Sequence, residues 1–233
     1  NTLKKFILRS QVSIEEVSHQ FCHFGISGTT STQHLQQIFD TLPENLNELT
    51  QLPQGCLMRI PGKLPRYELL LAHQQCQSLW EKLDVHGAPV GASAWQLIDI
   101  RAGLVDIDQS LTEQYVPQMI NLDLVQGLSF QKGCYPGQEI VARMHYRGKL
   151  KRRLYYATAK RDEIAAPGAP LFQPGLSASQ DAGQVVSCTW APDDGIELLA
   201  VIPIERQQAG DLHLDAETGP LLHFEPLPYA VPD

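Results

Sequence analysis

The stretch Lys132-Gly133-Cys134-Tyr135-Pro136-Gly137-Gln138-Glu139 holds the residues best suited to chemistry. Ile140, Val141 and Met144 follow it at the spacing of one helical face. Pro136 suits a first helical turn, where its missing N–H would be unpaired anyway. Cys134 then precedes a helix N-terminus. The helix dipole and the charge of Lys132 both favour a thiolate there, which makes Cys134 a candidate reactive or ligating thiol. The alternative reading is a small buried residue filling a turn bracketed by Gly133 and Gly137. An iron–sulfur cluster needs about four ligands, so a single cysteine meets one only transiently or shares it with another protein.

A second constellation surrounds Trp95. Ala92, Trp95, Asp99 and Ala102 fall near one face of a helix expected over 91–102, with Trp95 and Asp99 one turn apart. An indole can stack on a flat heterocycle such as a pterin, and a carboxylate can accept hydrogen bonds from its amine and amide. The alternative is a core tryptophan beside an aspartate that caps a loop.

The remaining composition narrows the field. Five cysteines stand at 22, 56, 76, 134 and 188, with wide, irregular gaps. No Cys-x-x-Cys pair is present, so no metal site and no thioredoxin-type site is expected. Free thiols in a reducing compartment, a cytoplasm or an organelle matrix, are the simplest inference. The net charge of −8 argues against a protein coated in nucleic acid. Arg143, Arg147, Lys149, Lys151, Arg152 and Arg153 nevertheless crowd into one stretch that reads either as a local anion site or as a solvated helix end and strand start. Tyr146 is its one interleaved aromatic, which argues against direct nucleic-acid binding.

The elements that must position these residues follow from periodicity. No apolar window is long enough for a membrane span, and no signal-peptide pattern opens the chain. Leu3, Phe6 and Ile7 read as the end of an amphipathic helix, 12–24 as one or two strands and 30–39 as a helix. Residues 42–55 read as a loop. Leu57–Ile60 and Tyr67–Ala72 read as strands, and Cys76, Leu79, Trp80 and Leu83 as a helical stripe. From Arg153 onward the apolar runs are short and bounded by turn signals such as Pro167-Gly168 and Thr218-Gly219-Pro220. The expectation is an α+β chain with a core over 1–147 and a small β-barrel over 148–233.

The 132–139 segment closely resembles the Lys-Gly-Cys-Tyr-x-Gly-Gln-Glu signature of the YgfZ family, folate-binding proteins related to the glycine cleavage T-protein. Trp95, Asp99-Ile100-Arg101-Ala102-Gly103, Pro117-Gln118, Asn121-Leu122 and Glu225-Pro226-Leu227-Pro228-Tyr229 extend the resemblance over essentially the whole chain. It implies ferredoxin-like units around a folate cavity, followed by a C-terminal barrel. It implies tetrahydrofolate or a related folate as cofactor, with Trp95 and Asp99 in its site and Cys134 as the functional thiol. The implied partners are iron–sulfur enzymes in the cytoplasm, including one that methylthiolates tRNA, and the implied role is accessory support of them. A folate-dependent aminomethyltransferase is the alternative. T-proteins carry an acidic residue where Arg101 stands, and no catalytic carboxylate is identifiable, so the expectation leans away from an enzyme. Family members begin with a further segment holding another folate-contacting Trp, which leads to the expectation that this chain starts after it.

Overall fold

The computed structural model describes residues 3–9, 11–53, 55–176 and 181–232. The chain divides into two compact units, Asn1–Pro89 and Val90–Asp233.

The first unit runs β1 (Phe21–Ser27), α1 (Ser31–Gln36), β2 (Leu49–Leu52), β3 (Gly55–Ile60), β4 (Arg66–Ala72) and α2 (Cys76–Asp84). Its strands form one antiparallel sheet in the order β1-β4-β3-β2. Alternation along β4 buries Tyr67, Leu69 and Leu71, which cluster with Leu57 of β3, Leu35 of α1 and Leu79 of α2. β2 lies inside the span expected to be a loop. It is a short edge strand whose own pattern is weak, and pairing with β3 from Leu49↔Met58 to Leu52↔Gly55 holds it. On its other side Gly55 permits the close approach of β4, because a Cβ there would strike the Leu70 carbonyl. Near the start, only a short helical turn forms over Leu3–Phe6, with Leu3 68% exposed in place of the buried stripe expected; the Phe6 side chain lies outside the described residues. A disulfide joins Cys22 of β1 to Cys76 at the start of α2, which corrects the expectation of five free thiols.

The second unit runs α3 (Ala92–Ala102), α4 (Gln138–Tyr146), β5 (Arg152–Ala159), β6 (Leu171–Phe172), β7 (Gln184–Trp190), β8 (Ile196–Pro203), α5 (Ile204–Ala209), β9 (His213–Leu214) and β10 (His223–Glu225). An antiparallel sheet has the order β10-β5-β8-β7, and β6 pairs with β9 in a second. Central strand β8 is buried from Ile196 to Ile202, the mark of a strand covered on both faces. Ile196, Leu198, Ala200 and Ile202 join one core cluster, while Leu199 and Val201 meet Ile100 of α3 in another. Among the described residues the two sheets are open ladders, without the strand pairing that would close the small barrel expected. Single bridges at Pro170↔Gln184 and His213↔Leu221 connect them.

The expected division at 147/148 coincides with the change from helix to strand and falls inside the second unit. Arg153 just beyond it bonds back to Gln118 and Asp123, so the sheet and the helices before it pack as one body. No helix among the described residues is long and apolar enough to cross a membrane.

Candidate functional site

α3 carries two of the candidate residues. The helix starts after Gly91 and is rich in alanine, the strongest helix former. It ends where Gly103 turns left-handed at φ 67°, closing with Gly103 N–H to the Ile100 carbonyl and Leu104 N–H to the Asp99 carbonyl, both at 3.0 Å. Trp95 and Asp99 sit one turn apart and are both half-buried.

What holds α3 on the sheet is a charged clamp. Alternation along β8 puts Glu197 on the same face as Leu199 and Val201, toward α3, where a lone carboxylate would be costly. Arg101 grips it with two hydrogen bonds, Nε to Oε2 at 2.9 Å and Nη2 to Oε1 at 2.5 Å, and the Tyr156 hydroxyl donates to Oε2 at 2.6 Å. Burial pushes the Glu197 carboxyl up, but the bonds from Arg101 and Tyr156 outweigh it and hold it below the usual carboxylate range. Burial, reinforced by the bond to Glu197, raises the Tyr156 hydroxyl. Gln96 adds a bond to Ser187 of β7 at 3.2 Å. At the helix end the Tyr229 hydroxyl donates to the Gly103 carbonyl at 3.0 Å, and a Cβ on Gly103 would strike that hydroxyl.

A second brace holds α4. Arg153 is buried and binds Asp123 through Nη1 at 2.7 Å and Nη2 at 3.0 Å, while also donating to the Gln118 carbonyl at 2.8 Å. Gln118 Nε2 donates to the Val141 carbonyl of α4 at 2.7 Å, and Asn121 Nδ2 to the Leu154 carbonyl at 2.9 Å.

The segment leading into α4 departs from the expected geometry. Pro136 is not in the first helical turn. Gly137, at φ 85°, forms a left-handed N-cap, the helix starts at Gln138, and Pro136 belongs to the turn before it. Gln138 closes that turn by accepting the Tyr135 N–H on its side chain at 3.1 Å while its own N–H reaches the Tyr135 carbonyl at 3.2 Å. Lys132 Nζ lies over the Tyr135 ring, 4.6 Å from its centre. Cys134 is exposed and unpaired, and makes no hydrogen bond among the described residues. The buried-turn alternative for Cys134 therefore fails. Of the expected apolar face of α4, Val141 is buried but Ile140 is 58% exposed.

No protein-family model matches the chain. The tRNA-modifying protein YgfZ of Yersinia pseudotuberculosis serotype IB (strain PB1/+) is 32% identical over 230 residues, covering 98% of this chain and 69% of that protein. The chain belongs to the YgfZ family. The YgfZ of Yersinia enterocolitica serotype O:8 / biotype 1B (strain NCTC 13174 / 8081) is 30% identical over the same share of both chains. The glycine cleavage system aminomethyltransferase T from Bartonella henselae has a similar fold, with a TM-score of 0.56 and 16% identity over 87% of this chain. The match spans 57% of that aminomethyltransferase's length.

Within this YgfZ-family chain, five of the residues that carried the resemblance are fasteners. Arg101, Gly103, Gln118, Asn121 and Tyr229 all serve the two braces. Trp95 and Asp99 share α3, whereas Cys134 lies on the segment that leads into α4. Sequence reading missed Glu197, whose signal was a single acid inside the apolar run Ile196–Ile202. It also overcounted the basic stripe. Arg153 is buried against Asp123 and Arg152 pairs with Asp181, leaving Arg143, Arg147, Lys149 and Lys151 exposed.

Proposed function

We propose that this YgfZ-family chain belongs to a folate-binding accessory protein that supports iron–sulfur enzymes in the cytoplasm, and through them tRNA modification such as methylthiolation. The observation that carries the reading is the pairing of Trp95 and Asp99, half-buried one turn apart on a helix clamped by Arg101 and Glu197. The donor set fits a folate. An indole offers a stacking face for the pterin, a carboxylate accepts from its amine and amide, and partial exposure leaves both with surface to give. Bound tetrahydrofolate would supply a carrier for one-carbon groups. Trp95 would orient the ring, Asp99 would select its hydrogen-bonding edge, and the clamp would keep both at a fixed spacing.

Cys134 is the second working group of the proposal. Its motif neighbours shape the turn, Lys132 on Tyr135, Gln138 across the turn, Gly137 at the left-handed cap. The thiol stands outside these contacts and is exposed, which suits transient contact with an iron–sulfur client. Residues 148–233 are proposed as the small barrel-like part of the second unit, supported by the two single bridges at its open sheets.

The likeness in fold to the aminomethyltransferase favours a second reading, a folate-dependent aminomethyl transfer. Against it, Glu197, the acid that faces α3, is engaged by both Arg101 and Tyr156. The test is complementation of cells lacking their own YgfZ-family protein. The full-length protein should restore tRNA methylthiolation, while Trp95→Ala and Cys134→Ser should not. Restoration by both variants at the wild-type level would overturn the reading.

A further inference from the structure

Cys22, His73 and Cys76 converge in the first unit although they come from distant parts of the sequence. Cys22 lies on β1, opposite Leu71 of β4. The chain leaves β4 at Ala72 and turns through His73–Gln75 into α2, whose first residue is Cys76. The three ligand atoms all lie within 4.8 Å of one another. Cys22 Sγ is 3.5 Å from His73 Nδ1, and Cys76 Sγ lies 3.6 Å from the Ala72 carbonyl.

We propose that these three residues form a site for a thiophilic cation of the Zn(II) kind, opened and closed by the Cys22–Cys76 disulfide. Zn–S bonds of about 2.3 Å and Zn–N bonds of about 2.0–2.1 Å at tetrahedral angles put sulfur and nitrogen ligands about 3.5 Å apart. The Cys22–His73 separation of 3.5 Å already matches that edge. The Cα atoms of the two cysteines are 6.2 Å apart, so sulfurs about 3.7 Å apart on one cation need only side-chain rotation. Cys76 is buried, Cys22 half-buried and His73 exposed, so a fourth coordination position faces solvent, where water or a partner's side chain completes the tetrahedron.

The two states interconvert by balanced chemistry. A dithiol reductant gives two electrons and two protons to the Cys22–Cys76 bond, which breaks to two thiols while the reductant becomes a cyclic disulfide. The cation then displaces both thiol protons to solvent and takes an electron pair from each sulfur and from His73. The disulfide state has neither thiolate to offer and binds no cation. In a reducing compartment the site is open, and oxidation ejects the metal.

The test uses the whole chain, reduced with a water-soluble phosphine that does not compete for metal and is itself converted to phosphine oxide. The reduced protein should bind about one Co(II) per chain with tetrahedral visible bands and a thiolate-to-cobalt charge-transfer band, and Zn(II) should displace it. The oxidised protein should show neither band. Cys22→Ser and Cys76→Ser should each weaken Zn(II) binding on the order of a hundredfold, the share of one ligand in a small site. His73→Ala should weaken it while leaving the sulfur charge-transfer band. A reduced wild-type protein with no cobalt spectrum would overturn the site whatever the variants do. Equal binding by the triple variant Cys22→Ser/His73→Ala/Cys76→Ser would also overturn it, and equal binding by the oxidised protein would overturn the gate.

Discussion

Replacing Arg101 with Met removes the clamp on α3 while keeping most of its length. The Glu197 side chain is 5% exposed and the Arg101 side chain 42% exposed. Removing one partner of a fully buried pair costs about 3–5 kcal/mol, because a charge stays buried without its counterion. Here Tyr156 still donates to Glu197 at 2.6 Å, and the exposed side of Arg101 was already screened by water. The expected loss for Arg101→Met is therefore about 2–3 kcal/mol. Glu197→Gln should cost less, about 1 kcal/mol, since the Arg101 guanidinium can turn to solvent. The pH dependence separates this from simple loss of packing. In the wild type, the folded Glu197 carboxyl lies below its ordinary value of 4.5, so the clamp's stabilisation is fully present above that value and is lost as pH falls through the lower folded one. In Arg101→Met, burial dominates and lifts the folded carboxyl above the unfolded value. Proton uptake then relieves the variant, and its deficit shrinks as pH falls through that raised folded value. Urea titration followed by tryptophan fluorescence measures this, in a Trp80→Phe background so that Trp95 and Trp190 report on the second unit. A loss under about 0.5 kcal/mol, a deficit independent of pH, or a larger cost for Glu197→Gln would refute the reasoning.

Arg153→Met should cost about 3 kcal/mol, because Asp123 loses both hydrogen bonds from a guanidinium that is only 6% exposed; urea titration at neutral pH checks it. Gly103→Ala should cost about 1–3 kcal/mol, combining the left-handed backbone with the clash against Tyr229, and a variant as stable as wild type would contradict the cap described here. Cys134 is exposed, Cys56 half-buried and Cys188 buried, so alkylation read by peptide mass should proceed in that order. Burial also pushes the Cys188 thiol up, which slows it further. Cys134→Ser should leave the melting transition nearly unchanged, because the sulfur is exposed and no hydrogen bond among the described residues uses it.

The helix bearing Trp95 was legible because Gly91 and Gly103 bracket a run of good helix formers, and its observed span of Ala92–Ala102 sits inside those marks. The turn around Cys134 was legible as a turn. Its helix was placed two residues early because proline at a first helical position is common, whereas here the positive φ of Gly137 delays the start. β2 was hidden because a four-residue edge strand draws its definition from its neighbour. Glu197 and Arg101 were hidden as a pair because they are ninety-six positions apart and only the packing of α3 on β8 brings them together. The same holds for Cys22 and Cys76. A search for closely spaced cysteines cannot find a pair separated by 54 residues, and the spacing of His73 and Cys76 carries meaning only once β1 delivers Cys22 beside them.

The most direct test of the folate reading is an equilibrium titration of the full-length protein with tetrahydrofolate under anaerobic conditions, read by tryptophan quenching and by calorimetry. Saturable binding is predicted, with Trp95→Ala weakening it by about 1–3 kcal/mol, the scale of one stacked aromatic. Asp99→Asn should weaken it as well, because the amide no longer offers two acceptors to the pterin edge. Binding that is absent in the wild type, or that both variants leave unchanged, would contradict the assignment of α3 as the folate-holding helix.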